Sequence, residues 1–264
     1  MNTPQQQTAI INGKQLSYRD QGSGPVMVFI HGLAGNARSW QKQFEAFSDT
    51  HRVVAWDVPG FGKSDVIEPD VNQYARSLKA LLDHLAINKI LLTGHSMGGI
   101  VASRFAGLFP DHVRALVLSC TFWGHAHDKG EPLRDGYQAR LDNLNSVSAI
   151  EYGKARAAAM LADGTPKDII ELAASIASET RSQGLENAAR MLQESDTRSS
   201  LSALTMPTTV ISGECDPVVA TETTTELARL VPGSEQIVIP DAGHAPYLEF
   251  ADAYNAALRR AFDL

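Results

Sequence analysis

Largely unbroken apolar runs recur along this chain, at residues 26–30, 53–56, 90–92, 115–118, 208–211 and 236–239. A strand with one wet face alternates polar and apolar positions. A continuous run of this length marks a strand covered on both faces, as in a parallel sheet. Stretches with apolar positions at helical spacing separate most of the runs, at 39–47, 72–85, 97–108, 221–230 and 248–262. Ahead of the first run, residues 8–12 and 16–20 flank a Gly13-Lys14 turn and read as the opening strands of a meander. Strand and helix in alternation predict an α/β fold, with a mostly parallel eight-stranded sheet and helices on both faces.

The alternation is interrupted once. Between about Phe122 and Thr205 no strand pattern appears, and helical stretches run over 131–145, 149–162, 167–180 and 184–196. An insertion after the sixth strand sits over the carboxyl ends of the strands, where open α/β sheets bind their ligands. It reads as a helical cap. The predicted organisation is therefore a first part of the core at 1–121, a cap at 122–205 and the rest of the core at 206–264. No internal repeat or low-complexity tract is present.

Composition narrows the classes. A chain of 264 residues buries roughly three quarters of its unfolded surface and needs no disulfide staple. The formal net charge of −7 argues against nucleic acid and anionic membranes as partners. No basic-then-apolar leader opens the chain and no apolar run approaches a membrane span, so a cytoplasmic protein is expected. A homodimer is left open. Cys120 and Cys215 are expected to be two buried thiols in a reducing compartment.

Candidate chemistry gathers where strands end. Gly94-His95-Ser96-Met97-Gly98 follows one apolar run and opens a helical stretch. Gly-x-Ser-x-Gly in that context is a nucleophile elbow. Its small residues let the chain pack closely around a strained serine, whose hydroxyl is left exposed at a helix N-terminus. Attack by Ser96 on a carbonyl puts negative charge on oxygen, which preorganised N–H groups must receive. One expected donor is Met97; the other is Leu33, in the segment Phe29-Ile30-His31-Gly32-Leu33-Ala34-Gly35. A third segment, Gly213-Glu214-Cys215-Asp216-Pro217, offers a carboxylate that fixes a histidine tautomer. Asp216 is preferred over Glu214, although Asp216 also reads as a helix N-cap. A fourth segment, Asp241-Ala242-Gly243-His244, supplies the general base.

His31, His95, Phe122 and Trp123 complete the candidate pocket. The two aromatic residues read equally well as packing between cap and core. His125-Ala126-His127-Asp128 superficially resembles a metal cluster but reads as solvated loop, so no metal is expected. Arg134, Arg140, Arg156 and Arg181 have two readings each, a solvated surface charge or a grip on a substrate carboxylate. For any single one the surface charge is the stronger.

Taken together, these segments resemble the α/β-hydrolase family over nearly the whole chain. Asp57-Val58-Pro59-Gly60-Phe61-Gly62-Lys63-Ser64 matches that family's loop after the fourth strand. The segments around Ser96 and His244 are similar to those of 3-oxoadipate enol-lactonases and related small carboxylesterases. The resemblance implies a cofactor-free Ser-His-Asp hydrolase acting on an ester or lactone of a small carboxylic acid. Relatives that hydrolyse carbon–carbon bonds in ring-cleavage products carry Asn before the nucleophile and Trp after the histidine. Here those positions hold His95 and Ala245. Dehalogenases and epoxide hydrolases use an aspartate where this chain has Ser96. A catalytically silent binding protein is the third reading, and the intact Ser, Asp and His oppose it. The lactonase pairing of an arginine with a cap tryptophan is not visible, which sets the 3-oxoadipate lactone itself apart from the general reading.

Overall fold

The computed structural model describes residues 3–264. Eight strands form one sheet in the order β1-β2-β4-β3-β5-β6-β7-β8. They are β1 (Gln6–Ile11), β2 (Lys14–Gln21), β3 (Val26–Ile30), β4 (Arg52–Asp57), β5 (Ile90–His95), β6 (Val113–Ser119), β7 (Thr208–Gly213) and β8 (Glu235–Ile239). β1 pairs antiparallel with β2, and β2 antiparallel with β4; every other pairing is parallel. The strand order reverses at β3, which lies between β4 and β5. The loops leaving β3 and β5 therefore diverge and open a crevice at the carboxyl ends of the strands.

The unbroken apolar runs have a direct cause. Val28, Ile30, Val54, Trp56, Leu116 and Leu118 point into one core cluster. Their neighbours Met27, Phe29, Val53, Ala55, Ala115 and Val117 point into the other. Successive side chains of a strand face opposite ways, so a sheet covered on both sides needs apolar residues at every position. Phe29 and Trp56 are fully buried. Truncating such an aromatic residue to alanine costs about 3–5 kcal/mol.

The helices that cover the two faces are α1 (Gln41–Phe47), α2 (Val71–His84), α3 (Met97–Leu108), α9 (Thr221–Leu230), α10 (Pro246–Glu249) and α11 (Ala251–Phe262). The span expected as one helix at 248–262 is two. Phe250 adopts φ −130°, ψ 55° and breaks it.

Between β6 and β7 lie five helices: α4 (Asp135–Ser146), α5 (Ala149–Ala158), α6 (Lys167–Ala177), α7 (Ser182–Glu194) and α8 (Arg198–Ser202). The sequence pattern missed α8, a short turn whose Arg198 N–H is taken by Asp196. α4 starts later than expected because the Arg134 N–H is drawn to the Gln193 side chain. None of the α4 residues is buried. These helices contact loops at the carboxyl ends of the strands. Glu179 accepts from Asn36, Arg181 donates to the Ser64 carbonyl, and the Met160 carbonyl accepts from His244 N. No helix among the described residues is long and apolar enough to cross a membrane. The thiols differ from expectation: Cys120 is buried, but Cys215 lies exposed on the turn after β7.

Candidate active site

Ser96 occupies φ 52°, ψ −120° between β5 and α3. A side-chain-bearing residue rarely adopts this conformation, so strain is stored where the hydroxyl is presented. The flanking glycines explain how the turn closes. A Cβ on Gly94 would stand 2.3 Å from the Gly98 carbonyl oxygen, and one on Gly98 would stand 2.3 Å from the Ile30 carbonyl oxygen. The Ser96 N–H donates to Ser119 O and Thr121 Oγ1 donates to Ser96 O, which ties the elbow to the end of β6.

His244 Nε2 lies 3.1 Å from Ser96 Oγ. On the far side of the ring, Nδ1 lies 2.8 Å and 3.0 Å from the two Asp216 carboxylate oxygens. The Asp216 side chain is fully buried and that of His244 nearly so. Asp216 Oδ1 also accepts from the N–H groups of Val218 and Val219, so both sequence readings of this residue describe the same carboxylate. Glu214 is exposed and accepts from Asp241 N. The Met97 N–H is the first of α3 and has no intrahelical acceptor. Among the described residues the Leu33 N–H makes no backbone hydrogen bond.

Two cavities lie at the Ser96–His244 pair, one lined by Ser96 and the other by His244. A cleft of about 500 Å³ reaches Ser96 and is walled by Leu33, Phe122, His125, Tyr137, Arg140 and Val219, among others. A void of about 20 Å³ lies against His244, His95, Arg156, Met160 and Tyr247. A larger groove of about 680 Å³, between the β1–β2 hairpin and α2, is remote from Ser96.

Of the four expected pocket residues, Phe122 lines the cleft. His95 lines the small void instead, its ring 4.8 Å from those of His244 and Tyr247. Burial, with His244 and His31 nearby, holds the His95 pKa well below its usual value, so it stays uncharged. His31 lines neither cavity. It is fully buried, and its Nε2 accepts from Val58 N, bracing the loop after β4. Trp123 also lines neither. It packs on the core, and its carbonyl accepts from Thr197.

Sequence reasoning missed His125 and Tyr137 as cleft residues, because their approach to Ser96 depends on how the insertion folds over the strand ends; Arg134 and Arg140, read from the sequence as surface charges or carboxylate grips, both line the cleft. His125 is held by Tyr137 OH and Arg134 rather than by a metal-like cluster, and His127 pairs with Glu131. Burial, then Arg134 and His127, push the His125 pKa down to about 4. Among the described residues the grouping able to hold a metal is Cys120, Asp216 and His244, their ligand atoms within 4.8 Å of one another. Burial, reinforced by Asp216, pushes the Cys120 thiol well above its usual pKa, which disfavours the thiolate a metal requires.

The comparisons with known proteins agree with this architecture. The family model for the alpha/beta hydrolase fold matches residues 25–251. The acetyltransferase component of the acetoin cleaving system of Pseudomonas putida, a dihydrolipoyllysine-residue enzyme, is 30% identical over 265 residues, covering 96% of this chain and 68% of its own. A pimeloyl-[acyl-carrier protein] methyl ester esterase of Vibrio cholerae is 31% identical over 252 residues, covering 90% of this chain and 94% of its own. A 3-oxoadipate enol-lactonase of Acinetobacter baylyi is 27% identical over 243 residues, covering 90% and 88%. Among solved structures, a thermophilic esterase from Thermogutta terrifontis superposes with a TM-score of 0.85 at 27% identity, covering 97% of each chain. A strained serine at the strand-to-helix elbow, the eight-stranded sheet order and a family match across most of the chain converge: this protein belongs to the alpha/beta hydrolase fold family.

Proposed function

We propose that this hydrolase cleaves an ester or lactone of a small carboxylic acid, with Ser96 as nucleophile, His244 as general base and Asp216 as its partner. The observation that carries the reading is the His244 ring, poised between Ser96 Oγ at 3.1 Å and Asp216 Oδ2 at 2.8 Å. Ser96 Oγ attacks the carbonyl carbon while its proton passes to His244 Nε2. The developing oxyanion is received by the N–H groups of Leu33 and Met97. The tetrahedral intermediate collapses as the C–O bond breaks, and His244 returns the proton to the departing alcohol oxygen. Water then attacks the acyl-enzyme, losing a proton to His244, and the acid leaves with Ser96 restored. Asp216 keeps the Nδ1 proton in place and stabilises the imidazolium formed in each half.

Helices α4–α8, within residues 122–205, act as the cap in this reading, with the core at 1–121 and 206–264. The cleft supports a substrate that carries a carboxylate as well as the scissile ester. Its charged walls are Arg134 and Arg140, and no acidic residue lines it. Among the described residues neither Arg140 nor Arg156 has an ion-pair partner. Burial, together with Arg140, depresses the Arg156 pKa to about 10, as expected of cations lacking a counterion. In a chain of net charge −7, a cleft of this sign attracts an anion selectively.

The test is hydrolysis of p-nitrophenyl acetate by the wild type and by Ser96→Ala. Turnover that disappears in the variant is the expected result. Turnover that persists in Ser96→Ala overturns the nucleophile assignment.

A further inference from the structure

Glu249 closes α10, and among the described residues no cation pairs with it. Its carboxylate is nevertheless fully engaged. Oε1 accepts from Ala245 N at 2.9 Å, and Oε2 accepts from Gly243 N at 3.2 Å. These two N–H groups flank His244. Oε2 also accepts from Ala162 N at 2.8 Å and Thr165 Oγ1 at 3.2 Å, both in the helical insertion. The His244 N–H itself donates to the Met160 carbonyl at 2.7 Å. Three consecutive N–H groups around His244 are thus fixed, two by one carboxylate and one by the insertion backbone.

The packing at this point leaves no slack. A Cβ on Gly243 would stand 2.5 Å from Ala162 N and 2.9 Å from Glu249 Oε2. Asp241, which starts the turn, has φ 59°. The turn has no regular secondary structure to hold it. The Cys215 N–H donates to the Ala242 carbonyl at its start, and around His244 the Glu249 bonds are the side-chain hold; hydrogen bonds to an ionised acceptor are about twice as strong as neutral ones.

We infer that Glu249 is the positioning residue of the His244 turn, and that through it residues 160–165 of the insertion set the distance between His244 and Ser96. The inference rests on reading His244 as the general base. Glu249 touches neither substrate nor the reacting atoms; it acts through the backbone on both sides of the imidazole. A displacement of about 1 Å in a catalytic group costs about a hundredfold in rate. The same carboxylate makes the insertion more than a cover: whatever moves residues 160–165 moves the base.

Glu249→Gln tests this at constant volume. A glutamine has one acceptor oxygen and one NH₂ group, so either Ala245 N or the Gly243–Ala162 pair then meets a donor instead of an acceptor. Three readouts are taken: kcat and KM on p-nitrophenyl acetate, the rate of Ser96 labelling by a fluorophosphonate, and the downfield proton resonance of the His244 Nδ1–H held by Asp216. The expected result is a fall in kcat and labelling rate of about tenfold or more, KM little changed, and a resonance broadened or lost while the circular dichroism stays native. Should Glu249→Gln not fold, Glu249→Asp keeps the charge but shortens the reach, and the same readouts apply. Wild-type kcat with a sharp resonance overturns the inference. So does a loss of activity that only tracks the folded fraction while the resonance stays intact. A wild type whose Ser96 never reacts with the fluorophosphonate removes the serine reading itself, and the positioning role falls with it.

Discussion

Gly98 lies directly under the Ile30 carbonyl, so close that a Cβ there would sit 2.3 Å from the oxygen and 2.7 Å from the next carbonyl, of His31. This contact presses the first turn of α3 against the end of β3. It brings Met97, the residue after Ser96, beside the loop that carries Leu33. The two proposed oxyanion donors come from segments more than sixty residues apart, and one missing methyl group sets their spacing.

Gly98→Ala should therefore separate α3 from the β3 loop and spoil both elbow and donors. The obstructing atoms are backbone and cannot rotate away. The expected outcome is a loss of kcat of about a hundredfold or more on p-nitrophenyl acetate, with a lowered thermal midpoint. Wild-type kcat in this variant would show that the contact is dispensable.

Asp216 and Glu214 are separated by one residue and differ in kind. The first is buried against His244, and the second is exposed. Asp216→Asn should hold the imidazole in the wrong tautomer and lower kcat by about ten-thousand-fold, as the same change does in the trypsin-type triad. Glu214→Gln should leave turnover near the wild-type value. Steady-state kinetics of the pair decides the assignment, and equal losses would refute it.

Arg140 enters the cleft from α4, and among the described residues no carboxylate pairs with it. Arg140→Gln should raise KM for a monomethyl dicarboxylate about tenfold more than for the neutral dimethyl ester of the same acid, since charged hydrogen bonds contribute about 1.5–3 kcal/mol. An equal change for both esters would show that the cleft does not read the negative charge.

Two buried histidines and the half-buried His125 make a prediction about pH. His31, His95 and His125 all have pKa values lowered from 6.5 by burial first of all. The unfolded chain then binds more protons than the folded one below about pH 6.5, so stability falls as the pH drops. For His125 the loss is complete near pH 4, its folded value. Urea midpoints should decline from pH 7.5 to pH 5. His125→Gln should flatten part of that decline. A midpoint that is constant or rises on acidification would contradict the sign.

Much of this was legible in the chain because the signals are local. A strand buried on both faces must be apolar at every position, and Met27, Val28, Phe29 and Ile30 carry that signal in consecutive residues. The elbow is equally local, since only small residues fit where Gly94 and Gly98 lie against backbone. α8 escaped notice because its five residues, Arg198–Ser202, form little more than one turn. The break at Phe250 escaped because both sides of it keep helical spacing.

What the sequence by itself determined is the order of layers, the sheet with its interrupting helices, and the strand ends at which Ser96, Asp216 and His244 stand. Tertiary structure alone decided that His31 braces a loop instead of lining a pocket. It also decided that Arg140 looks into the cleft and that Glu249 clasps the turn around His244. The reason is physical. Periodicity records how each residue meets its own element's neighbours, whereas a site on loops is assembled by contacts between segments such as 160–165 and 243–249, whose spacing in the chain carries no trace of their meeting.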